Sequence, residues 1–431
     1  MPLVTVAALC ASLIALASAL AVHSVALAGD GAFQLVSILS TGEGVGAPSR
    51  TFATHAQQGP VVVASWAGVV DTQVLATLLG LGQIVLPAFA WSLAIVLCRR
   101  DRLVCATVSM LAGLSAATTW FLGASELVLA APLTVLVAVF LWQPRPLRAR
   151  DTVVAVAAAS ILVASYETAL VTGVVLTIWG AWRATTGSSG MTDRVACVLV
   201  ASLSAASAVV AVWGTQTGAN PTHSRSLLYF VVSLEPWPFY VALLGITAVV
   251  AGLGPWLTGH ARSGALVLGT AAIAVAVVAI QPNPVRAFQA RGGVAIAVCA
   301  AVLFLWWRWI ASRRGEATPG AGRREERLLV VVPVAFMVAL VVASVQPIHE
   351  WSRSLEVFRA EVNRTQGVVH ALDVLPPQRR DVLWGWTASS LSLVVRASPD
   401  AGVLADRDPA YVPFSAEDAR EQLADEYVWD E

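Results

Sequence analysis

The chain has 431 residues, 57% of them hydrophobic and only 13% charged, with 27 basic and 27 acidic side chains in balance. A soluble domain carries about 25% charged residues, so this composition excludes an ordinary water-soluble enzyme and predicts an all-α integral membrane protein. Every basic residue is arginine. The arginines lie in short segments between apolar runs, not on one basic face, so nothing supports nucleic-acid binding.

A bilayer core takes about 20 apolar residues per helix. Leu3–Ala28 is the first such run. Val25-Ala26-Leu27-Ala28 has the small residues of a signal cleavage site, but the missing basic n-region and the length of the run predict a retained helix. An outer loop, 29–71, follows. Ala32, Phe33, Leu35, Val36 and Leu39 have helical spacing, which predicts a short interfacial helix after Asp30. Gly42, Gly44, Gly46 and Pro48 end it. Val61–Val70 is too short to span and predicts a surface or re-entrant helix, closed by Asp71 in position to cap the next span.

Further spans are predicted over Thr72–Cys98, Leu103–Gly123 and Leu127–Trp142. Later ones are Val195–Trp213, Pro238–Leu257, Ala265–Ile280, Val294–Ile310 and Leu328–Val345. Thr152–Trp182 is long for one helix and is interrupted by Ser165-Tyr166-Glu167-Thr168. Arginine bias decides its topology. As a hairpin of two short helices, it leaves 15 arginines of the first 347 residues on the inner side and only Arg50, Arg225, Arg286 and Arg291 outside. This predicts about eleven transmembrane helices in a domain over 1–346, with an inner linker at 312–327. The amino end is cytoplasmic and the carboxyl end extracytoplasmic, in a multi-pass protein of the cell membrane.

The segment 348–431 holds 8 arginines and 15 acids. It predicts a small extracytoplasmic C-terminal domain, α+β or irregular, over 347–431. Leu355, Val357, Phe358 and Val362 suggest an amphipathic helix. Val382–Thr387 and Ser390–Val395 read as strand-like or irregular, and Ser415 opens a final helix.

Cys10, Cys98, Cys105, Cys197 and Cys299 contain no CxxC pair and read as small apolar packing residues. Among the acids, Asp101, Asp151, Asp193, Glu316, Glu325 and Glu326 fall beside inner arginines and read as solvated charge balance. Asp30, Glu43, Asp71, Glu126, Glu167 and Glu235 fall at outer helix ends or in outer loops. A carboxylate near membrane depth is a functional candidate, so Asp30, Glu126 and Glu167 are the predicted catalytic acids or bases. Arg286 and Arg291 break the inside bias, and their guanidinium forks match phosphate oxygens. With His55 and Asp71 they form the predicted substrate-binding set, beside the polar Gln57 and Gln58. No histidine pair has metal-ligand spacing and no phosphate-cradling glycine loop occurs. No cofactor is specified, and a divalent cation is the one the reading admits. Trp351, Trp384 and Trp386 read as interfacial anchors or core before sugar platforms.

The stretch Gly29-Asp30-Gly31-Ala32-Phe33, the surface helix after it and His55-Ala56-Gln57-Gln58-Gly59-Pro60 resemble the layout of the GT-C class of membrane glycosyltransferases. Leu162–Thr168 and Trp384–Ser392 are similar to segments of uncharacterised proteins of this kind. The resemblance implies a bilayer-embedded enzyme that takes sugar from a polyprenyl-phosphate carrier, with an outer carboxylate as base and Arg286 or Arg291 on the lipid phosphate. The family commonly pairs acids in the first loop. Here Asp30 stands alone, which leaves Asp71 or Glu126 as the second acid. Two other classes remain open: a transporter or flippase, with helix breaks near Gly80, Gly82 and Pro87 or Gly252, Gly254 and Pro255, and a non-catalytic scaffold. The sequence does not give the oligomeric state.

Overall fold

The computed structural model describes the chain except residues 47–49, 121–124, 167, 187–189, 218–236, all but isolated positions of 238–283, 314–322, 376–386, 406–422 and 430–431. The side chains of 215–217, 284–291, 323–326 and 372 are also outside the description. Apolar runs become helices because a membrane interior leaves backbone N–H and C=O groups no other partner. In order these are α1 (Leu3–Val22), α2 (Gly31–Thr41), α3 (Thr51–Trp66), α4 (Thr72–Gly80), α5 (Leu86–Cys98), α6 (Arg102–Thr119) and α7 (Glu126–Trp142). Next come α8 (Ala149–Leu162), α9 (Ala169–Thr186), α10 (Met191–Thr217), α11 (Pro284–Arg313) and α12 (Arg323–Arg364). Two short helices, α13 (Ala371–Val374) and α14 (Ala388–Val395), accompany the parallel strands β1 (Val368–His370) and β2 (Val403–Ala405).

Six helices among the described residues are long and apolar enough to cross a bilayer: Leu3–Val22, Thr72–Cys98, Arg102–Thr119, Met191–Gly214, Gly292–Arg313 and Arg327–Arg364. The chain is therefore a helical membrane-embedded protein. The predicted spans Pro238–Leu257 and Ala265–Ile280 lie almost wholly outside the described residues. Thr152–Trp182 divides as expected into α8 and α9, with a turn at residues 163–168.

The centre of the bundle is α7. Every residue from Leu127 to Trp142 is buried, as expected for a helix apolar all round. It is packed by α3, α5, α6, α8, α9 and α11. Antiparallel α9 and α10 approach closely because glycines face small residues: a Cβ on Gly173 would stand 2.8 Å from the Ser204 carbonyl oxygen, and one on Gly180 3.1 Å from that of Cys197.

The connections sort into two ends. At one end, the Met1 amino group donates to the Arg99 carbonyl, Gln143 Nε2 donates to Leu97 O, and Arg308 pairs with Asp101 at 3.2 Å. Arg183 and Asp193 also meet there. At the opposite end, Trp351 Nε1 donates to His23 O and Ser207 Oγ to Leu162 O. That end also carries α2, α3 and the C-terminal elements.

Several sequence expectations are corrected. Asp193 and Asp151 are 2% and 6% exposed. They are not solvated, because buried arginine and backbone N–H groups take their oxygens. Ser390–Val395 is not strand-like but belongs to α14, buried against α2 and β2. The helix α2 is not a bare interfacial helix, since α3, α4 and α14 cover it. The helix α12 runs unbroken through Pro347, so the division at 346/347 falls inside a helix. At about 1.5 Å per residue its 42 residues span roughly 63 Å, about twice the hydrocarbon core. It thus leads directly into the C-terminal elements. The predicted strand at 382–387 lies outside the described residues except for Thr387, which precedes α14, and the helix start at Ser415 lies outside them.

Candidate functional site

The helix α3 reaches the bundle through its first turns. Phe52 N and Ala53 N both donate to Ala164 O in the α8–α9 turn, at 2.9 and 3.3 Å. Gln57, buried, donates from Nε2 to Ser125 O at 3.2 Å. Ser125 is the N-cap of α7, its hydroxyl accepting from Leu127 N. Glu126 opens the first turn of α7, where a carboxylate suits the positive end of the helix dipole.

These contacts deliver Arg50 to Glu126. Arg50 Nη1 lies 3.1 Å from Glu126 Oε2, with side chains 8% and 14% exposed. The same guanidinium lies over the Tyr166 ring, 5.0 Å from its centroid, the geometry in which a cation is attracted to an aromatic face. Glu126, Arg50 and Tyr166 thus join the first loop, α7 and the α8–α9 turn at one point. A carboxylate oxygen engaged by a guanidinium holds position, which makes Glu126 here a positioning group before a base.

A second polar seam runs beside it. Gln58 is buried and bonds the Val45 backbone in both directions, accepting at 2.7 Å and donating at 3.0 Å. Gln83 donates to Gln34 Oε1 at 2.7 Å, while Gln83 Oε1 is buried with no partner among the described residues. Gln83 lies in a π-helical segment, Leu81–Val85, between α4 and α5. Such widened turns often mark functional positions. The segment needs Gly82, where a Cβ would stand 1.7 Å from the Gln57 carbonyl oxygen.

The other predicted site residues are placed as follows. Asp30 is partly exposed at the N-cap position of α2 and makes no capping bond. Asp71 is an N-cap, accepting from Gln73 N and Val74 N, and it pairs as an isolated β-bridge with Val428. Its geometry is structural. His55 is exposed on α3, with Nδ1 2.7 Å from Thr51 O. Glu167 lies outside the described residues, between the described Tyr166 and Thr168. Arg286 and Arg291 fall on the first turns of α11, and their side chains are outside the description. Of the predicted set, Glu126 meets a charged side chain, Arg50, at this point. Among the described residues no group of three metal-ligating side chains occurs. Trp351 is buried against His23 and is core, while Trp384 and Trp386 are outside the description.

Sequence reasoning missed Arg50, which it treated only as an exception to the charge bias. An arginine in the first loop, among the carboxylates expected outside, was the available signal. It also grouped Gln57 and Gln58 with loop polarity, whereas both are buried hydrogen-bonding anchors. Comparison of the chain with known protein families and with curated proteins returns no match.

Proposed function

We propose that the protein is a membrane glycosyltransferase that moves a sugar from a polyprenyl-phosphate carrier to an extracytoplasmic acceptor. The observation that carries this reading is the largely buried Arg50–Glu126 pair. It sits at the bundle end remote from the arginine-rich connections and at the foot of the first loop. In the full reading there are about eleven spans in the cell membrane. The arginine-rich end is cytoplasmic by the charge bias, which puts the first loop and the C-terminal elements outside. Asp30 is the base for the acceptor hydroxyl. The acceptor oxygen attacks the anomeric carbon, the carbon–oxygen bond to the lipid phosphate breaks, and the electron pair leaves on phosphate oxygen, where Arg286 or Arg291 balances the charge. Arg50 and Glu126 hold the loop that carries Asp30, and Glu167, His55 and Asp71 complete the rim. The layout is an analogy, since fold does not fix chemistry.

The test is Asp30→Asn in native membranes supplied with radiolabelled polyprenyl-phosphate sugars. Loss of product with unchanged insertion and abundance is expected. Undiminished transfer would remove Asp30 from the mechanism.

One observation favours a second reading, a transporter or flippase. The π-helical segment puts a buried glutamine, its oxygen unpartnered among the described residues, inside the span Thr72–Cys98, and interrupted helices often line transport paths. Movement of labelled lipid-linked sugar across proteoliposomes without covalent product would select that reading.

A further inference from the structure

The charges at the arginine-rich end of the bundle are sorted by depth. The acids described there are all turned into ion pairs: Asp101 meets Arg308 at 3.2 Å, Asp151 meets Arg145 and Arg150 at 3.7 Å, and Asp193 meets Arg183 at 3.1 Å. The exposed charge that remains is positive. Arg99, Arg100, Arg148, Arg194, Arg313 and Arg327 are exposed and have no carboxylate partner among the described residues. Leu329 packs with Ala106 of α6, which brings Arg327 to this end. At the opposite end the exposed Glu43, Glu350 and Glu356 stand with the exposed Arg353 and Arg364.

The helix flanks below this basic rim change character in a fixed order. On α9, Val174, Ile178 and Trp182 are exposed at four-residue spacing, so they share one face. On α11, Leu303 and Trp307 are exposed at the same spacing. Each face runs from aliphatic side chain through indole to the arginines. The aromatic layer is packed into place: Trp182 stands edge-on to Trp306 and Trp309, with centroids 6.3 and 5.4 Å away. Trp309 in turn carries the Arg313 guanidinium over its ring, 5.2 Å from the centroid, which steadies that cation at the rim.

We propose that this rim binds the anionic headgroups of the phospholipids around it, with phosphate oxygens on the exposed guanidiniums. Tryptophan sits at the headgroup level of a bilayer, so the order aliphatic, indole, arginine puts the arginines among the phosphates. A soluble acidic partner would use the basic face alone and would leave the indoles and aliphatic flanks beneath it unexplained. Guanidinium forks match phosphate geometry, and with the neighbouring acids already paired no carboxylate competes for them. Each arginine near the surface raises the preference for anionic lipid by roughly five-fold. The inference rests on membrane embedding, not on sugar transfer or on which compartment this end faces.

Electron spin resonance tests it on the full chain in phosphatidylcholine vesicles, with trace spin-labelled phosphatidylglycerol or phosphatidylcholine as the probe. Lipid touching the protein is motionally restricted, and its share gives the relative association of the two headgroups. The expected result is a several-fold preference for phosphatidylglycerol that falls as salt screens the charges. The combined variant Arg99→Gln, Arg100→Gln and Arg313→Gln loses most of it, while an unchanged restricted share of phosphatidylcholine shows the bundle intact. Arg353→Gln with Arg364→Gln, at the opposite end, retains it. Equal association of the two lipids with the wild type overturns the proposal, and so does a preference indifferent to salt, which needs no variant. A preference that survives the combined variant, or falls equally with Arg353→Gln and Arg364→Gln, also overturns it. Soluble glycerol phosphate that abolishes the preference where sodium chloride of equal ionic strength does not would show a site for free phosphate and overturn the lipid assignment.

Discussion

Arg50 and Glu126, 76 positions apart in sequence, meet at 3.1 Å, Arg50 buried and Glu126 mostly so. Their contact is the electrostatic joint between the first loop and the central helix. Removing one partner of a buried pair strands the other charge, which typically costs about 3–5 kcal/mol, whereas replacing both with apolar groups is often neutral. Arg50→Ala and Glu126→Ala are therefore each expected to lower the thermal midpoint of the detergent-purified protein strongly. The double variant Arg50→Met with Glu126→Leu is expected to recover most of the loss. Additive losses in the double variant would show that the pair is not coupled.

The two ends of the bundle make the orientation testable residue by residue. Ser40 is exposed at the end of α2, and Thr185 is exposed at the far end of α9. In the proposed orientation, with the arginine-rich end cytoplasmic, Ser40→Cys is expected to react with a membrane-impermeant thiol reagent on intact cells. Thr185→Cys is expected to react only after permeabilisation. The opposite pattern would invert the topology and remove the outer carboxylate site with it.

Two glycines in neighbouring helices separate a packing requirement from a mere absence of side chain. At Gly82 a methyl group would penetrate the Gln57 carbonyl, while at Gly59 it would meet nothing within 4 Å. Gly82→Ala is expected to push α3 off the π-helical segment, with a lower thermal midpoint and a poorer yield of monodisperse protein. Gly59→Ala lies inside α3 and is expected to be tolerated, or to stabilise by roughly 0.5–1 kcal/mol through reduced backbone entropy. Equal effects at both positions would contradict this packing of α3.

Helix positions were legible because apolar length and arginine placement are one-dimensional signals. The α8–α9 turn could be placed near Glu167, within Ser165-Tyr166-Glu167-Thr168, because a single span there would have put Arg308–Arg327 on the wrong side. Asp71 as a helix cap was legible for the same reason, since a cap needs only the residues that follow it. Pairings across the chain were not legible. Arg50 finds Glu126, and Trp351 finds His23, only after the helices have packed. The continuation of α12 through Pro347 was hidden because a proline is normally read as a break. There α12 runs on past the span to place Trp351 against His23, and this tertiary packing overrides the local preference. Asp193 was misread as solvated because its arginine neighbours in sequence suggested a wet loop.

That last misreading leads to a prediction at the other end of the bundle. Arg183 is 3% exposed. Its Nη1 reaches the carbonyls of Phe140, Leu141 and Gln143, and its Nη2 reaches Arg145 O and Asp193 Oδ1. These carbonyls belong to the C-terminal turn of α7 and the residues after it, where helix carbonyls lack backbone donors and a cation is favoured. Asp193 in turn accepts from Leu147 N, so the cluster fixes both connections at that end. A planar guanidinium spans this set of acceptors, and an ammonium, a point charge on a flexible stem, does not. Arg183→Ala is therefore expected to destabilise by about 3–5 kcal/mol, in the range for breaking a buried pair. Arg183→Lys is expected to regain only a minor part, read as thermal midpoints in the same detergent. A lysine variant as stable as wild type would mean that charge alone matters here and that the fork geometry does not.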